Sequence, residues 1–373
     1  MRDSVVILPW VRTQYKRARR SPLHASIRGL TSWTPMQSPE EGFTVVVGCM
    51  HRLAPLATAN LRFLEASEPE GLREIILVFD CVESDLPATV KRARDEWDGP
   101  APLRIICYSD RQAQTASKIN WGWVYSWLSW SIGVGAASTR HVLLHDLDAF
   151  PVDPGLLSGQ WRRAVESGAQ FTGVRQYSGN GVDASMNLVT TFELVLDAAY
   201  VRERFHPFDA FNKIRMVNGR YIDFDTFLHM QHRSPSRAVA PVAETALVHP
   251  SQLICHYTDF ISGRDDMKHK AHNLMMLPYF AHIGSDSSHI RSATEQLERG
   301  PGGSIMLFDR ELPIAHLAPA HWAWMEKQIQ RMALAIRGAA DDLTEAYLKH
   351  FVERAGDART VGRETGEAAV PAR

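Results

Sequence analysis

The feature that most narrows the fold is the run Arg140-His141-Val142-Leu143-Leu144-His145-Asp146-Leu147-Asp148, an apolar strand candidate closed by two carboxylates. Alternate side chains of a strand share a face, so Asp146 and Asp148 point the same way. Comparable apolar runs occupy 43–49, 74–79 and 103–108. Segments with helical patterning separate them at 53–66, 87–97 and 117–132, and Pro87 stands near a helix start, where its missing donor costs little. Strand–helix alternation repeated this way predicts an α/β fold, a mostly parallel central sheet flanked by helices. In such sheets ligands gather at the C-terminal strand edge, where Asp146 and Asp148 fall.

With 373 residues, 45% of them hydrophobic, the chain can bury a large core. A formal net charge of -1 argues against bulk nucleic-acid binding. No apolar run is long enough for a transmembrane segment. Residues 5–11 are too short for a secretory signal and precede, rather than follow, the basic cluster Lys16-Arg17-Arg19-Arg20. That cluster reads as a solvated arm, with weak membrane-surface contact as the sharper alternative. Cys49, Cys81, Cys107 and Cys255 lie in apolar runs without short paired spacing, which predicts buried free thiols and a reducing, cytoplasmic setting.

Beyond 154 the pattern is mixed: a strand at 169–173, a helix at 192–204, a strand at 220–224, a helix at 226–231 and a strand at 253–257. Two helices follow, at 320–339 and 343–355. We therefore expect an irregular arm over 1–41 and a catalytic domain over 42–285, divided into a nucleotide-binding half (42–155) and an acceptor and catalytic half (156–285). A C-terminal helical extension over 286–356 and a disordered tail over 357–373 complete the chain.

The order of elements and the Asp146-Leu147-Asp148 pair resemble the nucleotide-sugar-dependent glycosyltransferases of the type A (GT-A, Rossmann-like) fold, and are similar to the family 2 glycosyltransferases, over about residues 43–260. The resemblance implies a nucleoside diphosphate sugar donor of UDP or GDP type. It places the nucleotide against Val47, Cys49 and Arg52 after the first strand and the base or ribose against Asp80. Lys118 would approach a phosphate, and Arg264 and Lys268 would form a mobile clamp downstream. Asp146 and Asp148 would bind Mn²⁺ or Mg²⁺, with Asp146 also near the donor. The third ligand is often a late histidine, here His256, with His249 as backup.

An inverting transfer needs a base for the acceptor hydroxyl. Asp225 and Asp223, in Tyr221-Ile222-Asp223-Phe224-Asp225, match that place, with Asp225 favoured narrowly and Asp209 a third choice. A retaining mechanism stays open. Tyr177, Asn180, Asp183 and Asp209 are the expected acceptor contacts, for a saccharide, lipid or small molecule. No Gln-x-x-Arg-Trp follows the acids, which disfavours processive polymerisation and favours one-sugar transfer. Trp123, Trp127 and Trp130 share a helical face and read as core. The competing functions are a sugar-nucleotide nucleotidyltransferase, disfavoured because Gly48 stands without a glycine-rich run, a metal-dependent hydrolase, and a non-enzymatic sugar- or nucleotide-binding protein.

Overall fold

The structure, a computed structural model, describes residues 9–264, 271–299 and 303–365. In chain order it opens with α1 (Pro9–Ile27), β1 (Glu40–Cys49), α2 (Ala54–Glu65), β2 (Leu72–Phe79) and α3 (Ala88–Asp95). Next come β3 (Leu103–Cys107), α4 (Asp110–Ile119), α5 (Gly122–Ala136), β4 (Thr139–His145) and the two-residue β5 (Phe150–Pro151). They are followed by α6 (Leu156–Ser167), β6 (Phe171–Gly173), β7 (Leu194–Asp197), α7 (Ala198–Arg204), β8 (Lys213–Val217), β9 (Arg220–Phe224) and α8 (Leu228–His232). The remainder is β10 (Arg237–Val239), β11 (Leu247–Val248), α9 (Leu253–Ser262), α10 (Ala271–Leu274), α11 (Leu277–Ile283), α12 (Ser288–Glu298), β12 (Ser304–Leu307), β13 (Arg310–Pro313), α13 (Pro319–Arg337) and α14 (Asp342–Thr365).

These elements group into two compact units. The first is built on a seven-stranded sheet in the order β10-β6-β7-β4-β1-β2-β3. Its β1–β2, β1–β4, β2–β3 and β6–β10 pairs are parallel, and β7 alone runs antiparallel to its neighbours β4 and β6. This is the Rossmann-like, mostly parallel arrangement expected from the strand–helix alternation. On one face of the sheet Val46, Ile76, Val78, Val142 and Leu144 pack with Val124, Trp127, Leu128 and Val134 of α5. The approach is close: a Cβ on Gly133 would stand 2.2 Å from Val46 Cγ1. On the opposite face the Trp161 ring of α6 stacks on Phe43, 5.7 Å between centroids.

The second unit holds α2, the β5–β11 ladder, the β12–β13 hairpin and helices α9 to α14, including the expected helical extension. Its core gathers Phe63, Phe150 and Phe280, with Phe150 stacked on Phe280 at 4.5 Å and set edge-on to Phe63 at 5.3 Å. None of the described helices is long and apolar enough to cross a membrane.

Several local expectations fail. The arm is not irregular throughout, because 9–27 form α1, which buries Ile27 and turns Arg20 inward. The helix expected at 117–132 is two helices, broken at Asn120, whose left-handed φ of 46° caps α4. Asparagine tolerates that region better than most residues. The helix expected at 192–204 begins as β7, since Leu194, Val195 and Leu196 are wanted in the sheet core, and turns helical only at Ala198. The strand expected at 253–257 is the start of α9, which buries Leu253, Tyr257 and Phe260 at helical spacing. Contrary to the expected burial, Cys255 on this helix is exposed and Cys107 at the end of β3 is half-buried, while Cys49 and Cys81 are buried; none of the four forms a disulfide. At the other end α14 continues to Thr365, past the point where a tail was expected.

Candidate metal and donor site

Because β1 to β4 run parallel, the residues that leave them emerge at one edge of the sheet. The register pairs Cys49 with Phe79, Phe79 with Cys107 and Val47 with His145. The segments beginning at Met50, Asp80, Tyr108 and Asp146 therefore leave the sheet side by side.

At the end of β1, Val47 and Cys49 are buried strand residues. Burial first, and the Asp80 charge second, push the Cys49 thiol well up, so it stays protonated. Asp80 braces the turn after β1: its Oδ1 accepts from the His51 backbone N–H at 2.7 Å and lies 2.7 Å from His51 Nδ1. That contact fixes the Asp80 carboxylate, at 8% exposure, on the path by which the chain leaves the sheet. Arg52 is exposed beside it. Tyr125 of α5 feels both groups: burial raises its phenol, as does the Asp80 charge, and Arg52 opposes them. Lys118 is exposed in the last turn of α4.

The two aspartates after β4 are followed by a short ladder that brings in a third group. β5 pairs antiparallel with β11, Phe150 opposite Val248 and Pro151 opposite Leu247. The residue before β5 and the residue after β11 are thereby set close together, and His249 Nε2 stands 3.5 Å from Asp148 Oδ1. The segment is held from below by Asn60 of α2, whose side-chain amide donates to the Ala149 carbonyl at 2.8 Å, and by the Phe150–Phe280 stack. One ligand atom each from Asp146, Asp148 and His249 lie within 4.8 Å of one another. Two carboxylates and an imidazole are a suitable donor set for a divalent ion. Asp148 is buried; Asp146 and His249 are half-buried.

His145 points away from this group, as its neighbours' alternation requires. It is fully buried, with Nδ1 2.5 Å from Oε1 of the equally buried Glu193. Glu193 itself sits at φ 49°, an uncommon conformation for a residue with a side chain. His256, expected as the third ligand, is on α9, where its Nδ1 lies 3.3 Å from Asn273 Nδ2. The histidine of the three-residue group is His249 instead. Arg264 follows the Gly263 cap of α9 and is exposed, its Nε donating to Ser262 Oγ at 2.7 Å. Lys268 lies outside the described residues.

A second group forms in the sheet unit around the β8–β9 hairpin. Asn180 donates to the Tyr177 hydroxyl at 3.0 Å, and its carbonyl accepts from the Asp223 N–H at 3.0 Å. Burial, then the nearby Asp225 charge, push the Tyr177 phenol up. Tyr177, Asn180, Asp223 and Asp225 are thus neighbours. Asp225 does not cap α8, which starts later, at Leu228; its Oδ1 accepts from Asn212 at 2.8 Å and from the Thr226 N–H at 2.7 Å. Both Asp223 oxygens accept from Arg20 of α1, at 2.6 and 3.1 Å. Arg20, 8% exposed, also lies over the Trp121 and Trp123 rings at 5.2 and 4.9 Å. Trp127 and Trp130 are core, as their spacing predicts.

Asp183 and Asp209 are engaged elsewhere. Asp183 is exposed and caps a short 3₁₀ turn through Ser185. Asp209 accepts from the buried Lys213 ammonium at 2.8 Å and lies 3.5 Å from Arg233.

No protein-family profile matches the chain, and no curated protein matches it either. Among solved structures it is similar to residues 1–349 of S. aureus TarS at 12% identity, covering 88% of this chain and 93% of that one, with a TM-score of 0.36. It is also similar to the mannosyltransferase PcManGT from Pyrobaculum calidifontis in complex with GDP-Man and Mn2+, at 12% identity, 94% and 89% coverage and a TM-score of 0.40. A galactosyltransferase, LgtC, in complex with donor and acceptor sugar analogs aligns over 43% of this chain and 60% of its own at 12% identity, with a TM-score of 0.31. Likenesses at such TM-scores carry no functional argument.

Proposed function

We propose that this chain is a metal-dependent glycosyltransferase that moves one sugar from a nucleoside diphosphate sugar to an acceptor hydroxyl. The observation that carries the reading is the Asp146, Asp148 and His249 group at the C-terminal end of a central parallel strand. A divalent ion held there would neutralise the charge that grows on a departing nucleoside diphosphate. The imidazole tilts the choice toward Mn²⁺ over Mg²⁺, since nitrogen is the softer donor.

This chain's own residues then divide the work. Asp80, held by His51, presents a carboxylate that suits a ribose diol or a base N–H. Cys49 and Val47 are buried, so the end of β1 offers a donor its backbone rather than these side chains. Tyr177 and Asn180 form the polar wall next to Asp225, which would take the acceptor hydroxyl's proton in an inverting transfer. Lys118 and Arg264, both exposed, are available to phosphate, and Lys268 keeps that role on sequence alone.

Calorimetry with UDP and GDP tests the reading. Binding should tighten at least tenfold when Mn²⁺ is added, and the gain should vanish in Asp148→Ala and in His249→Ala. His256→Ala should retain it. A wild-type affinity indifferent to Mn²⁺, Mg²⁺ and their removal by chelation would remove the metal-bridged donor.

A further inference from the structure

The amphipathic helix at the start of the chain finds no role in donor binding or metal chemistry. From position 4 to 39 the sequence has six Lys and Arg and not one Asp or Glu. Within α1, Val11, Tyr15, Ala18 and Pro22 recur at helical spacing and are all exposed, Val11 at 44% and Tyr15 at 65%. Lys16 and Arg17 stand exposed beside this stripe. The inward side carries Arg20, Leu23 and Ile27, so the apolar stripe is not the face that packs on the protein.

The β8–β9 hairpin extends the same surface. Met216 is 58% exposed and pairs across the hairpin with Tyr221. Tyr221 in turn meets α1, accepting from Gln14 at 2.5 Å and lying under the Arg17 guanidinium at 5.7 Å. Arg215 and Arg220 are exposed on the hairpin, and Arg215 is close enough to Arg17 to feel its charge. Exposed apolar side chains interleaved with cations on a helix lying flat along the protein are what an anionic bilayer surface selects. The apolar groups enter the headgroup boundary while the cations meet lipid phosphates.

We propose that α1 and the β8–β9 hairpin seat the protein on an anionic membrane surface, and that the acceptor is carried by a lipid. The docking claim stands on this surface alone. The acceptor claim rests on the transferase reading, because α1 reaches the candidate base strand through Arg20–Asp223 and Gln14–Tyr221.

Co-sedimentation of the full chain with phosphatidylcholine vesicles, with and without phosphatidylglycerol, tests docking without donor or metal. Binding should require the anionic lipid and fall steeply between low and high salt. Each cation near the surface is worth on the order of fivefold in partitioning, so Lys16→Glu/Arg17→Glu should weaken binding at least tenfold. Val11→Ser/Tyr15→Ser should weaken it at unchanged charge, which separates insertion from simple charge attraction. Thermal melts of both variants check that the fold persists. Absent binding to anionic vesicles overturns the proposal, and so does equal binding to heparin or RNA that ignores the Val11/Tyr15 pair. Nucleotide calorimetry on the same variants should be unchanged, so loss of docking and failure of the transferase reading are read by separate signals.

Discussion

A carboxylate accepts a proton through an oxygen that its neighbours have not already claimed. Asp223 presents both oxygens to Arg20, whereas the hydrogen bonds to Asp225 from Asn212 and Thr226 meet at Oδ1. For the proposed inverting transfer we therefore keep Asp225 ahead of Asp223 as the candidate base. Asp225→Asn keeps an oxygen for those two donors but cannot take a proton. It should bind donor within about twofold of wild type and transfer at least a hundredfold more slowly, in line with the typical worth of a general base. Product assays beside donor calorimetry check this, and an unchanged turnover would exclude Asp225. Asp209 loses its standing as an alternative base because Lys213 and Arg233 already use it. No spacing rule reveals such commitments in advance, since Arg20 and Asp223 stand far apart in the chain.

Helix α1 shows most clearly what patterning leaves out. Beside the buried Ile27, its inward contacts are polar and distant in sequence: Gln14 to Tyr221, Arg20 to Asp223 and to two tryptophans. The Arg-, Ser- and Pro-rich composition of 1–41 reads as an irregular arm, and neither distant contact shows in it. In α9 the signal was present but outweighed, because Leu253, Tyr257 and Phe260 follow helical spacing while Leu-Ile-Cys-His-Tyr resembles a strand. The docking of α1 also carries a pH dependence. His24 lies edge-on to Phe208 and Phe211, and burial, with Arg215, Lys213 and Arg20 nearby, lowers its pKa from 6.5 to about 4. The docked helix favours neutral His24, so this contribution is complete above pH 6.5 and is lost as pH falls toward 4. Amide exchange across α1 should rise over that window and flatten in His24→Gln. Arg20→Ala should expose α1 to exchange at every pH, with a stability loss of about 2–3 kcal/mol from a severed charge-assisted pair. Unchanged protection in Arg20→Ala would show that the ion pair does not hold the helix.

For the molecule as a whole, the sheet was readable and the metal group only half so. Four apolar runs with helices between them allow few topologies, because a helical connection returns the chain so that the next strand runs parallel, as β1 to β4 do. Asp146 and Asp148 were visible because they end such a run. His249 ranked only behind His256 because β11 is two residues long, too short for any periodic signal, and its meaning lies in what it pairs with. β7 was hidden, since its buried run merges directly into α7. That two-residue ladder has a kinetic consequence. Roughly a hundred residues separate Asp148 from His249, and closing a loop of that size is slow relative to forming local helices. Metal capture should then report the last stage of refolding. The Mn²⁺ paramagnetic resonance signal of free ion should decline well after far-ultraviolet dichroism has recovered, and a simultaneous change would mean that the ion is held by the two aspartates before their distant histidine arrives.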